Sequence, residues 1–218
     1  AVALLSRRLR LRGIAQLLHR HALGLTAIRQ HHNFAADLPA GVGVAPLDDF
    51  ETNAWLGSLI RGEAATQAQG RLHRAVVDLE AKTFRTEQRA EASCEFPRIS
   101  PRVNCERHRY VYMAAHSGPA ALRGYLDAVS KVDLETGRET RVKLGEEQYP
   151  SEPVFVPRAG GTAEDDGWLL VQTFDARSDT SHVAVLDAKA PEAGPVARAH
   201  FDHAPPFTFH GGFAPTKP

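Results

Sequence analysis

Three segments of this chain repeat one design, and their spacing restricts the fold more than any other feature. Residues 71–80 run into 82–86, 129–137 into 138–142, and 182–189 into 195–199. Each reads as a strand, a turn led by an aspartate, and a second strand. An aspartate in that place can accept from the backbone N–H groups of the turn it leads. The aspartates are Asp78, Asp133 and Asp187, in steps of 55 and 54 residues. An all-β unit recurring at about 50 residues predicts a propeller, whose four-stranded blades pack face to face around an axis. A β-sandwich of unrelated hairpins is the alternative.

The remaining apolar runs fit the same plan. Residues 109–115 and 168–174 are rich in aromatic and β-branched residues, as strands are. Residues 153–157 are bounded by prolines, which confine that strand to a start and an end. From about residue 38 onward roughly 180 residues remain, a little over three units, whereas a ring needs at least about four blades. The expected fold class is therefore all-β, a partial propeller of three to four blades. Two regions are expected: an Arg-rich N-terminal segment over 1–37, helical or without regular structure, and the propeller portion over 38–218.

Composition removes several function classes. Charged residues make up 24% of the chain and the formal net charge is zero. There is thus no electrostatic basis for binding nucleic acid or an anionic membrane surface. No run of about 18 apolar residues is present, so no span is expected, although peripheral membrane contact stays open. Cys94 and Cys105 lack the spacing of a zinc knuckle or a disulfide scaffold and suit a reducing, cytoplasmic setting. Residues 1–33 differ, with six arginines, four histidines and no acid. An organellar targeting peptide, a surface helix and a wrongly translated start to the gene all account for that bias.

The strongest chemical signal is Phe207-Thr208-Phe209-His210-Gly211-Gly212. Its alternation reads as a buried strand, with glycines that admit a close backbone. A histidine there is either a hydrogen-bonded core residue or a metal ligand steadied by a carboxylate. Glu95 and Glu152 follow Asp78 and Asp133 by 17 and 19 residues, much as His210 follows Asp187 by 23. Equivalent places on successive blades converge on a propeller axis. Two carboxylates and an imidazole gathered there would be costly to bury without a common purpose. Two other clusters read more plainly. His200 and His203 would face opposite sides of a strand, and Glu164-Asp165-Asp166-Gly167 reads as a solvated hairpin tip without the ligand ladder of a calcium loop.

Four motifs, in this order and near this spacing, resemble the carotenoid cleavage oxygenases, a family that includes the retinal-pigment-epithelium isomerase and the lignostilbene dioxygenases. They are Glu95-Phe96-Pro97-Arg98-Ile99, Tyr149-Pro150-Ser151-Glu152-Pro153-Val154-Phe155-Val156-Pro157, Glu164-Asp165-Asp166-Gly167-Trp168 and Phe209-His210-Gly211. The resemblance covers residues 45–214 and matches the C-terminal half of such an enzyme. It implies a seven-bladed propeller with a non-haem Fe(2+) bound by four histidines, some oriented by glutamates. His210 then corresponds to the last ligand, Glu152 to the carboxylate that accepts its other ring N–H, and Glu95 to the carboxylate serving the third histidine. His31 is a weaker match to that third ligand, since strict spacing from Asn33 puts Gln30 in its place. The implied partners are dioxygen and an apolar polyene or stilbenoid, cut at a conjugated C=C bond to carbonyl products. With the first two ligand histidines unmatched, two other outcomes follow: a catalytically inactive truncated propeller, or a metal-free binder of apolar ligands.

Overall fold

A computed structural model of the chain describes residues 40–46 as backbone, then 70–78, 81–122, 124–206, 208 and 210–214. The Arg-rich segment and His31 lie outside the described residues. Eleven strands are described: β1 (Ala40–Pro46), β2 (Gly70–Asp78), β3 (Thr83–Gln88), β4 (Cys94–Arg98), β5 (Tyr110–Ala115), β6 (Ala128–Asp133), β7 (Glu139–Val142), β8 (Gln148–Pro157), β9 (Gly167–Asp175), β10 (Thr180–Asp187) and β11 (Pro195–His200). They form three antiparallel meanders, ordered β1-β2-β3, β4-β5-β6-β7 and β8-β9-β10-β11. These sheets are blades of a partial propeller.

The repeat in the sequence is one hairpin seen three times. Asp78 ends β2, Asp133 ends β6 and Asp187 ends β10, each the penultimate strand of its sheet. In every case the carboxylate Oδ1 accepts from a backbone N–H of the following turn: Ala81 at 2.8 Å, Glu135 at 3.0 Å and Lys189 at 2.9 Å. The local chemistry that sets the turn thus also sets the period.

Sheets bury their faces against one another, which explains the strand compositions. Val111, Met113 and Ala115 of β5 join Leu72, Cys94 and Val132 in one core, while Tyr112 joins Val129, Phe155, Leu169, Val171 and Leu186 in a second. A strand covered on both faces needs a continuous apolar run, and β5 has one. In β9 the pattern alternates. Leu169, Val171 and Thr173 are buried, and Trp168, Leu170, Gln172 and Phe174 are only half covered.

Two sequence expectations change. The strand expected over 153–157 begins at Gln148, so prolines lie within it. Among the described residues β8 is hydrogen-bonded to β9 alone, and an edge strand tolerates residues without an N–H. The acidic tip over 164–166 is a clamp rather than a solvated turn. Glu164 accepts from the backbone N–H of Arg109 and Tyr110 at 2.8 and 2.7 Å, and Lys131 Nζ lies 2.9 Å from Asp165. Arg102 donates to the carbonyls of Arg158 and Asp166 at 2.7 and 3.0 Å. These bonds sew the second sheet to the third. The carboxylates face donors that the neighbouring sheet supplies, which a local reading of the turn could not reveal.

Candidate functional site

The site forms where β4, β8 and the segment after β11 meet. β4 and β8 are the first strands of their sheets and lie against each other. Both carry a β-bulge at the glutamate. On β4, Glu95 pairs with Ala114 and Arg98 with Tyr112. On β8, Pro150 pairs with Thr173 and Pro153 with Val171. Each strand therefore inserts one residue that its partner does not match, which bends the strand and re-aims a side chain. In β4 the cost is visible: Phe96 has φ +57°, a conformation that its Cβ and the following Pro97 both oppose.

Glu152 is the centre of the cluster, with a side chain only 2% exposed. Its Oε1 lies 3.3 Å from His210 Nδ1 and 3.6 Å from Arg98 Nε. Its Oε2 accepts from the backbone N–H of Gly211 at 2.8 Å. Arg98 also donates through Nη2 to the Gly211 carbonyl at 3.1 Å. A carboxylate removed from water needs polar partners, and here it has two hydrogen-bonding groups, the His210 ring and the Gly211 N–H, and a guanidinium at ion-pair distance. The ring of Phe96 meets the His210 ring edge-on, with centroids 6.1 Å apart.

His210 itself departs from expectation. Thr208 and His210–Gly212 lie in no strand, and the imidazole is 46% exposed rather than buried. The segment crosses the half-covered face of the third sheet. There Gln172 donates to the Pro206 carbonyl at 3.3 Å, and a Cβ on Gly211 would approach Val154 to 3.5 Å. It is held to β8 by Glu152 rather than by a ladder, since the Gly211 N–H is spent on that carboxylate.

Glu95 is not brought into this cluster. It is exposed, and among the described residues no hydrogen bond reaches its carboxylate. Its surroundings are nevertheless crowded enough that loss of hydration pushes the carboxyl up to about 7. His200 and His203 do not share a site either: His203 pairs with Asp202 at 2.6 Å, and His200 lies beside the buried His182 ring at 5.2 Å. Cys94 is buried and Cys105 exposed, and both are free.

The donor chemistry fits one ligand of an imidazole-bound metal. A carboxylate faces Nδ1, and in an imidazole ligand such a partner would fix the ring and leave coordination to Nε2. Among the described residues no three His, Cys, Asp or Glu side chains gather to hold an ion. Sequence reasoning missed the roles of Arg98 and Phe96. Both stand in the Glu95–Ile99 motif. A buried carboxylate expected at Glu152 should itself have prompted a search for a cation.

Known proteins bear on this geometry. Residues 37–215 match the family model RPE65, described as retinal pigment epithelial membrane protein. The chain belongs to that family. Within it, the chain is 39% identical over 148 residues to apocarotenoid-15,15'-oxygenase from Synechocystis, covering 67% of this chain and 30% of that protein. It is 34% identical over 131 residues to carotenoid 9,10(9',10')-cleavage dioxygenase 1 from Arabidopsis thaliana, covering 56% of this chain and 24% of the relative. A cobalt-substituted crystal structure of the Synechocystis oxygenase superimposes with a TM-score of 0.71 at 32% identity, over 83% of this chain and 38% of that one. The chain thus spans about a third of the length of these family members.

Proposed function

We propose that this chain carries part of the metal centre of an oxygenase that cleaves a conjugated C=C bond of a carotenoid, apocarotenoid or stilbenoid. Both atoms of dioxygen end in the two carbonyl products, so the reaction balances without another reductant. The pairing of His210 Nδ1 with the buried Glu152 carboxylate carries this reading. His210 would bind Fe(2+) through Nε2, and Glu152 would hold the ring at one angle and in one tautomer. Iron(II) suits imidazole ligands and supplies the activation of dioxygen at its open coordination positions. Phe96 would restrict the ring from its edge. Glu95 would serve another histidine in the same way, and His31 is the candidate in this chain. The relatives' polyene substrates favour an apolar occupant beside this cluster. No helix among the described residues is long and apolar enough to cross a membrane.

Iron analysis and an apocarotenoid cleavage assay test the reading, with and without His210→Ala. Activity and bound iron should both fall by at least about 100-fold when the imidazole is removed. Unchanged iron and unchanged turnover in that variant reject it. A second reading rests on a specific observation: among the described residues no three His, Cys, Asp or Glu side chains come together. On that reading the chain is a non-catalytic propeller portion or a metal-free carrier of apolar ligands. Retinoid or carotenoid binding that survives chelation, with no iron retained, would favour it.

A further inference from the structure

We propose that Arg98 is the positioning residue of this centre, the group that locks the His210 segment onto two separate blades at once. The inference rests on the reading of His210 as a metal ligand. Arg98 belongs to β4, Glu152 to β8 and Gly211 to the segment after β11. Those three pieces share no backbone ladder with one another among the described residues. The guanidinium joins all three. Nε faces Glu152 Oε1 at 3.6 Å, Nη2 donates to the Gly211 carbonyl at 3.1 Å, and Glu152 Oε2 returns to the Gly211 N–H at 2.8 Å. Both backbone polar groups of Gly211 are therefore spent on one ion pair, in the residue that follows the imidazole.

Arginine is suited to this by shape. Its planar fork presents separate donors along fixed directions, so one side chain can meet a carboxylate and a carbonyl together. A lysine has one ammonium on a flexible stem and would meet either acceptor well but not both. Without the fork, Glu152 keeps its place on β8 while the Gly211 carbonyl is released. The segment can then swing, and the imidazole loses its fixed direction. On this reading Arg98 acts through Glu152 and Gly211, the two groups that its guanidinium faces.

The test compares the unaltered full chain with Arg98→Met, Arg98→Lys and His210→Ala in two readouts. The first is amide hydrogen exchange of metal-free protein. Arg98→Met should speed exchange at Gly211 by about tenfold or more while the core amides of Val129 and Leu169 stay protected. The second is titration with cobalt(II) alone, followed by its visible spectrum. Affinity should fall by about 10–100-fold in Arg98→Met, the usual loss when a partner of a ligand is removed. Arg98→Lys should fall between, because it restores the cation but not the carbonyl contact. Unaltered Gly211 exchange and an unaltered cobalt spectrum in Arg98→Met overturn the proposal. If cobalt binds His210→Ala as tightly as the unaltered chain, the metal reading fails instead, and Gly211 exchange still decides whether Arg98 ties the segment down. Should Arg98→Met lose core protection, Arg98→Lys decides by the same two measurements.

Discussion

β4 and β8 begin neighbouring sheets, lie against each other and bulge at a glutamate, yet the two carboxylates live in opposite conditions. Glu152 is almost fully buried and meets an imidazole, a guanidinium and a backbone N–H. Glu95 is exposed, has no hydrogen-bond partner among the described residues, and its carboxyl is pushed up to about 7 by lost hydration. Strand position alone does not make a site. What separates the two is a second segment laid across the glutamate: β8 has the His210 segment, and β4 has no equivalent among the described residues. A bulge supplies the aim, and the partner segment supplies the charge environment.

The largest expected effect comes from removing the better-satisfied member of the pair. In Glu152→Gln one carboxylate oxygen becomes an NH2 group, which must then point at a donor: His210, Arg98 or the Gly211 N–H. The guanidinium also loses its counter-charge. We expect a loss of about 3 kcal/mol in metal-free stability, as for a buried ion pair that loses one member. Urea unfolding followed by fluorescence measures it. The same change at Glu95 should cost far less in that assay. Equal losses at the two positions would erase the distinction between them.

Much of this was legible in the sequence, and the reasons differ by level. The aspartate turns act within a few residues, so Asp78, Asp133 and Asp187 disclose both the hairpins and their period from the residue order alone. The apolar run of β5 and the alternation of β9 report burial on two faces or one. The expectation that Glu152 and His210 gather came from their like places after the aspartate turns, but their pairing across 58 residues followed only from the family resemblance. Three things were not legible. Phe96 sits in a left-handed conformation because the bulge geometry demands it, against its own preference and that of Pro97. The His210 segment, read as a strand, is instead held by side chains. The acidic run over 164–166 looked solvated because its partners, Lys131 and the Arg109 and Tyr110 amides, belong to the neighbouring sheet.

The strain in β4 offers a sharper measure of how the two bulges differ. Phe96→Ala and Phe96→Gly both delete the ring that meets His210, but only glycine accepts φ +57° freely. The glycine variant should therefore be more stable than the alanine variant by about 1 kcal/mol, the reverse of their usual order in a strand. The difference between their urea midpoints reads the stored strain directly. Alanine equal to or better than glycine would mean that the β4 bulge holds no more strain than the β8 bulge.

The smallest effect is a pH slope belonging to Glu95 alone. Its folded carboxyl titrates near 7 and its unfolded one near 4.5. Between those values the unfolded chain has released the proton that the folded chain still holds, so stability falls as pH rises through this window and levels off above it. The exposure of the side chain keeps that fall modest, because water reaches the charged form. Glu95→Gln should remove it, so that the metal-free variant loses less stability than the unaltered chain on going from about pH 5 to about pH 7.5. Glu152→Gln should leave this particular difference in place. If Glu95→Gln instead shows the same slope as the unaltered chain, the crowding around Glu95 is relieved by water or by a neighbouring cation, and the two glutamates are less different than their surroundings indicate.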